Sequence, residues 1–409
     1  MHFGKAISAE FFGDYPGFEP FREQAESPVM IETIRGRLTQ SLNYVTADLS
    51  DETSKALPSL FGDPEEWKEV VFKPKILQLV ARISSRVFLG PEICKNERWL
   101  SISKEYAVDT FIAARALRQW PSILRPIVHW FIPECRKIRA ELKQAREIII
   151  PLVNEHRQKI RWMDDTAKGR LYDVALAQLG LAFAAIHTTT EMISGLLGDL
   201  CANPEYFEPL RQEIRTVFGE KGWKKSSLHE LRLMDSVMKE SQRHHFGDIG
   251  KLKPARLGVS FEPLLTNIKA AMTRISEKQI SLSDGTLIPK GTLTMVSIEN
   301  MQDTSIFPDP NAFKGRRFLD IRERPGNENR WQFVTTSPEH LAFGHGKHAC
   351  PGRFFASKEI KIALCHLLMS YDWQLPREGR KQDQIYGQET DIDPTARIQF
   401  RVRKGEIPI

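Results

Sequence analysis

Phe343-Gly344-His345-Gly346-Lys347-His348-Ala349-Cys350-Pro351-Gly352-Arg353 is the densest signal in this chain of 409 residues. Glycines at 344, 346 and 352 permit tight turns and let a flat body approach the backbone closely. Pro351 limits local freedom. The run from Phe354 to Leu368 has helical character, which places Cys350 at or just before a helix N-terminus. There the helix dipole and unpaired amide donors favour thiolate over thiol, while His348 and Arg353 add positive charge. A deprotonated sulfur held by amide hydrogen bonds is what a soft metal ligand requires. Two other readings of the loop stay open. His345, His348 and Cys350 could hold zinc, although three ligands crowded together with no distant cysteine pair is weak spacing. Cys350 could also be a buried or nucleophilic cysteine in a turn.

The rest of the chain bounds what this loop can belong to. Lys and Arg exceed Asp and Glu by 58 to 52, too slight an excess to imply a nucleic-acid partner, and no zinc-finger spacing or long basic block supports one. The five cysteines are odd in number and widely separated, which argues against a disulfide framework and for reduced thiols. No uninterrupted apolar run approaches the roughly 20 residues that span a bilayer. The longest candidate, Val174 to Ile186, contains Gln178 and reads as a buried helix.

Periodicity supplies the architecture. Residues 1–27 are rich in Gly, Pro and Phe without steady spacing and read as irregular chain leading into the first helix. Leu77, Val80, Ile83 and Val87 predict a helix from Trp67 through Phe88, with Pro91 as its stop signal. Further helical patterns cover 102–117, 135–164 and 171–199. Residues 246–273 carry no pattern that joins smoothly to either side. Gln279 to Ser283 alternates like a strand, Asp284-Gly285 signals a turn, and Thr292 to Ser297 reads as the strand's partner. Helical spacing returns over 353–371 and alternation over Arg397 to Val402. The fold class is mainly α with small β-sheets.

Two further constellations accompany the cysteine. Glu240-Ser241-Gln242-Arg243 sets an acid and a guanidinium one helical turn apart, ahead of Phe313-Lys-Gly-Arg-Arg317-Phe318. Alone, such a pair is common on exposed helices. Upstream, Ala184-Ala-Ile-His187-Thr188-Thr-Thr190 interrupts an apolar helix with a polar cluster. That cluster is either a locally satisfied helix, its threonines bonded to preceding carbonyls, or an oxygen groove over a cofactor.

Phe343, Gly346, Cys350 and Gly352 fit the pattern Phe-x-x-Gly-x-x-x-Cys-x-Gly, and with it the chain resembles the cytochrome P450 family. The likeness covers almost the whole chain and lies nearest the fungal microsomal-type enzymes that oxidise terpenoids and other secondary metabolites. It is carried locally by Val80-Ala-Arg-Ile-Ser-Ser-Arg-Val-Phe-Leu-Gly90 and Trp331-Gln-Phe-Val-Thr-Thr-Ser-Pro338. The resemblance implies one cytochrome P450 domain over 1–409, incomplete at its N-terminus. It implies haem b with Cys350 as axial thiolate, favouring O–O cleavage, Phe343 shielding the sulfur, His348 on a propionate, and Gly346 and Arg353 in the same cofactor-binding loop.

The family order also implies a charged network of Glu240, Arg243 and Arg317 behind the cysteine, structural in role. Thr188 aligns with the oxygen-side threonine, and His187 stands where an acid is usual. His187 either carries a proton near neutral pH or turns away to bond between helices. Lys347 and Arg353 are candidates for a positive face toward an NADPH-dependent reductase. The implied function is a haem-thiolate monooxygenase that inserts one oxygen atom of O2 into an apolar, terpenoid-like substrate of secondary metabolism. The alternative is an inactive or non-enzymatic haem-binding product of a truncated gene. Relatives sit on the cytosolic face of the endoplasmic reticulum membrane through an N-terminal anchor; this chain is expected to lack that anchor, which leaves a soluble form open. The stretch 246–271 is expected to be an insertion or a gene-model artefact.

Overall fold

The computed structural model describes residues 1–155, 161–245, 270–386 and 389–404. In chain order its helices begin with α1 (Phe3–Glu10), α2 (Glu19–Glu26), α3 (Val29–Thr33) and α4 (Leu42–Phe61). A strand, β1 (Lys68–Val71), precedes α5 (Lys73–Leu89), α6 (Glu97–Arg118), α7 (Arg125–Val128), α8 (Pro133–Glu155) and α9 (Arg161–Ala167). Then come α10 (Val174–Ala202), α11 (Phe207–Lys221), α12 (Lys225–Glu230) and α13 (Arg232–His245). Strands β2 (Ala270–Ile275), β3 (Ile280–Ser281), β4 (Leu287–Ile288) and β5 (Leu293–Ser297) lead to α14 (Arg317–Arg322) and α15 (Arg353–Ser370). The chain closes with β6 (Tyr371–Gln374), β7 (Gln384–Tyr386), β8 (Glu389–Asp391) and β9 (Arg397–Val402). Helix dominates and the sheets are small, as expected from the sequence.

The described residues gather into two compact units that interleave along the sequence. One holds 1–41, 80–188 and 273–294; the other holds 42–79, 189–272 and 295–409.

In the first unit, the expectation of irregular chain over 1–27 is wrong. His2 Nδ1 accepts the Lys5 amide at 3.1 Å and opens α1. Phe11 and Phe21 stack at 4.4 Å, and both meet Phe183 of α10 edge-on. Phe18 and Phe21 are fully buried, each contributing about 1.5–3 kcal/mol. Gly17, at φ +97°, separates the two helices; a side chain there would meet Ile138 Cγ1 at 2.8 Å. The same unit packs α6 against α8.

In the second unit, β1, β9 and β6 form an antiparallel sheet in that order, with Lys68 opposite Phe400 and Tyr371 opposite Val402. Ile398 and Phe400 are buried while Arg397 is exposed, which is the alternation anticipated for that tail. Phe400, Trp373, Tyr371 and Phe61 cluster and pack the end of α4 on the sheet. The single helix expected over 67–88 is instead a strand followed by a helix. Pro74 sits in the first turn of α5, where its missing N–H costs nothing, and Lys68–Val71 extend to pair with β9.

The hairpin expectation also changes. β3 turns through Asp284-Gly285 onto β4, with Ile280 opposite Ile288, whereas β5 pairs with β2. Residues 246–269 of the anticipated insertion lie outside the described residues; Ala270 and Ala271 open β2.

Candidate active site

The cysteine loop is held by its own backbone. Gly344 N–H donates to Leu341 O at 2.7 Å, Ala349 N–H to Gly346 O at 3.0 Å, and Cys350 N–H to Phe343 O at 2.7 Å. Gly344 and Gly346 adopt φ of +65° and +72°, a region that glycine enters without penalty. Gly352 is different: its φ is −85°, and a side chain there would meet nothing within 4 Å. Open space lies beside both Gly346 and Gly352, which leaves room for a flat group against this face of the loop.

α15 begins at Arg353 with Gly352 as its N-cap, as the sequence suggested. Burial pushes the Cys350 thiol up, while the amides of Gly352 and Arg353 and the charge of Arg353 pull it down without prevailing. A bound metal completes what these donors begin, because a coordinating sulfur is deprotonated. This donor set fits a haem iron. Zinc fares worse. Among the described residues, the one grouping of three potential ligands is Glu105, Asp109 and Glu141, with Lys137 Nζ 2.6 Å from Asp109, and neither Cys350 nor the loop histidines belong to it. Phe343 meets Phe333 edge-on at 5.2 Å. His345 and Lys347 are exposed, and His348 is half-buried on a one-turn 3-10 helix.

Glu240, Arg243 and Arg317 come together. α13 is buried from Leu233 through Arg243, so its charges must find partners. Arg243 donates Nε and Nη2 to the two oxygens of Glu240, both at 2.9 Å, and Arg317 Nε reaches the same carboxylate at 3.0 and 3.1 Å. The remaining guanidinium nitrogens are occupied too. Arg243 Nη1 donates to Met301 O, and Arg317 to the carbonyls of Pro308, Asp309 and Ala312. Burial alone would raise the Glu240 carboxyl, but hydrogen bonds from His244 and Arg243 and the two guanidinium charges hold it at about 2. The array is fixed and fully paired, a scaffold with no group left to react.

On α10, Thr188 Oγ1 donates to Ala184 O at 2.7 Å and stays exposed. His187 bonds through Nε2 to Lys104 O on α6 at 2.8 Å. A carbonyl only accepts, so Nε2 carries a proton. That bond links α10 to α6. His187 and Thr188 belong to the first unit and the cysteine loop to the second.

The cytochrome P450 family matches residues 84–248 and 265–396. This chain is a cytochrome P450. It is 42% identical to cytochrome P450 monooxygenase 1 of Gibberella fujikuroi, over all of this chain and 93% of that protein. It is 42% identical to cytochrome P450 monooxygenase hepE of Aspergillus oryzae, over 97% and 73%, and 40% identical to cytochrome P450 monooxygenase adrA of Penicillium rubens, over 98% and 78%. Membership makes it a monooxygenase of the haem-thiolate class, related to fungal enzymes, with haem b on a cysteine and electrons from an NADPH-dependent reductase as family properties.

Several buried groups of this P450 escaped the sequence. Lys239 sits beside Glu240, almost wholly buried, and its Nζ donates to the carbonyls of Gln332 and Thr335 at 3.0 Å each. Asp235 accepts the Phe333 amide at 2.8 Å and pairs with Lys361 at 2.7 Å. The likeness of Trp331 to Pro338 to the family was visible, but nothing in it said which side chains grip that segment.

Proposed function

We propose that this cytochrome P450 uses Cys350 as the thiolate ligand of its haem and oxidises an apolar, terpenoid-like substrate of secondary metabolism. The observation that carries the reading is the setting of Cys350: a sulfur faced by the Gly352 and Arg353 amides, on a loop where Gly346 and Gly352 leave open space beside the backbone. Haem, when bound, supplies the iron that activates dioxygen with two electrons from the reductase.

The chain's own residues supply everything else. Phe343 covers the sulfur side and its carbonyl fixes the Cys350 amide. His348 is the residue we assign to a propionate, and Gly346 and Gly352 leave the loop face clear. Glu240, Arg243 and Arg317 hold the segments around 301 and 308–312 rigid. Thr188 Oγ1 donates its proton to Ala184 O and keeps lone pairs for a water or an oxygen-side donor, the role we assign it in proton delivery. His187 commits its Nε2 proton to Lys104 O, which favours a tie between α10 and α6 over a relay through that nitrogen.

Among the described residues no helix is long and apolar enough to cross a membrane. Association with the cytosolic face of the endoplasmic reticulum membrane is nevertheless supported by a run between α6 and α8. Trp120, Ile123, Leu124, Ile127, Trp130 and Phe131 stand 41–83% exposed there, with Arg136 and Lys137 exposed just beyond. Interfacial attachment needs no spanning helix. Lys347, exposed on the cysteine loop, is the cation we assign to the reductase-facing side.

The test is the carbon-monoxide difference spectrum of the reduced, haem-supplied protein. The thiolate band is expected from the native chain and lost in Cys350→Ala. A native protein that binds haem without that band overturns the reading.

A further inference from the structure

Arg353, expected as a cation of the cofactor loop or of the reductase-facing surface, also bonds to the backbone of its own loop and of a preceding segment. Nη1 donates to the carbonyl of Cys350 at 2.9 Å and Nε to the carbonyl of Val334 at 3.1 Å. The guanidinium lies over the Phe354 ring, 4.4 Å from its centroid. Two carbonyls from distant parts of the sequence are bridged by a single planar fork.

The segment on the far side of that bridge is itself gripped. Residues 332–335 form a turn closed by Thr335 N–H on Gln332 O at 2.9 Å. Lys239 Nζ caps the carbonyls of Gln332 and Thr335, and Asp235 takes the Phe333 amide. Both of these side chains come from α13, the buried helix that carries Glu240. Phe333 then packs on Phe343, whose carbonyl takes the Cys350 amide. The peptide groups on either side of the Cys350 side chain are therefore fixed by two routes that both start at the 332–335 turn: Phe343 on the N–H side, Arg353 on the carbonyl side.

We propose that Arg353 is a positioning residue whose fork ties the Cys350 carbonyl to the Val334 carbonyl, so that α13, acting through the 332–335 turn, sets where the ligand sulfur stands. This rests on the reading of Cys350 as the haem ligand. Arginine suits the task because two acceptors on different segments need two donors at fixed spacing in one plane, which lysine, a single point charge, does not offer. Without the fork both half-buried carbonyls lose a charged donor, and the loop is free to relax at the residue whose placement matters most. Groups that orient a metal ligand in this way are typically worth about 10-fold to 100-fold in affinity or activity.

The experiment uses the full chain loaded with haem, with Arg353→Met and Arg353→Lys beside the native protein and Cys350→Ala. Three quantities are read: haem bound per chain, the ratio of thiolate-ligated to protonated-sulfur carbon-monoxide complex, and the rate at which the first decays to the second. Arg353→Met is expected to shift the ratio toward the protonated form by roughly 10-fold, and Arg353→Lys to fall between it and the native protein. The lysine variant keeps the charge, so it remains informative if the methionine variant fails to fold. Native ratio and decay rate in Arg353→Lys, or in a methionine variant that folds and binds haem, overturn the positioning role. A native chain that lacks the thiolate band overturns the ligand assignment instead, which separates the two failures.

Discussion

The imidazole of His245 stands between two carboxylates, with Nε2 2.9 Å from both oxygens of Asp199 and Nδ1 3.1 Å from Asp383. A carboxylate accepts and does not donate, so both ring nitrogens carry protons and the ring is an imidazolium. Arg380 completes the cluster through Asp199 and Asp383. Gly195 leaves room for the ring: a side chain there would meet His245 Cδ2 at 2.9 Å. Burial alone would lower the His245 pKa, but the charge and hydrogen bond of Asp199 and the hydrogen bond of Asp383 carry it up to about 9.

This cluster gives a pH dependence with a definite sign. The folded pKa of His245 lies above the ordinary 6.5, so its contribution is complete below about 6.5 and disappears as pH rises through about 9. The size is about 3 kcal/mol. Urea unfolding of the native protein and His245→Gln is expected to differ most near about pH 6 and to converge toward about pH 10. A gap that stays constant across that range contradicts the imidazolium assignment.

Glu240 neutralises two buried guanidinium groups. Glu240→Gln keeps the shape and removes the anion, leaving Arg243 and Arg317 as uncompensated charges, so a loss of about 3–5 kcal/mol is expected. The carboxyl is held at about 2, below its ordinary 4.5. Its stabilisation is therefore present above about 4.5 and drains away as pH falls toward 2. The readout is the urea midpoint together with haem retained after gel filtration. A glutamine variant with native values on both would remove the network's structural role.

What the sequence made legible and what it hid follow from where each interaction partner lies. The cysteine loop was readable because glycine, proline and cysteine act on their own backbone within a few residues. Glu240 and Arg243 were readable as a pair one turn apart. α1 and α2 were not, since their anchors Phe11 and Phe21 meet Phe183 far along the chain and leave no local period. β5 was given the wrong partner because the turn at Asp284-Gly285 signals a hairpin without saying where its second strand stops. The grips of Lys239 and Arg353 were invisible for a different reason. Their acceptors are backbone carbonyls, which every sequence has at every position.

His187 and Thr188 are separable by substitution. If His187 ties α10 to α6 through Nε2–H, then His187→Gln, whose amide still donates, is expected to retain oxidation within about 3-fold, while His187→Ala loses more. Thr188→Ala removes the hydroxyl itself and is expected to cost at least about 100-fold in product formed per NADPH, the scale of a lost proton-transfer group. Product and hydrogen peroxide released per NADPH are measured with a substrate found by screening terpenoids. A His187→Gln variant as impaired as Thr188→Ala would favour a relay role for the histidine.

The exposed run between α6 and α8 carries the final expectation. Ile123 and Ile127 are 83% and 61% exposed, so replacing them disturbs little of the core. Each is expected to contribute about 1.5–3 kcal/mol if it enters the apolar layer of a bilayer, which is about 10-fold or more in partitioning. Sedimentation with vesicles of mixed zwitterionic and anionic lipid is therefore expected to weaken about 10-fold for Ile123→Glu and further for the double variant Ile123→Glu, Ile127→Glu. Raised salt separates the apolar from the electrostatic part, because screening weakens attraction between exposed basic side chains and anionic headgroups but leaves apolar burial intact. Binding that vanishes in salt while ignoring both glutamate substitutions would assign the attachment to the basic residues and not to this run.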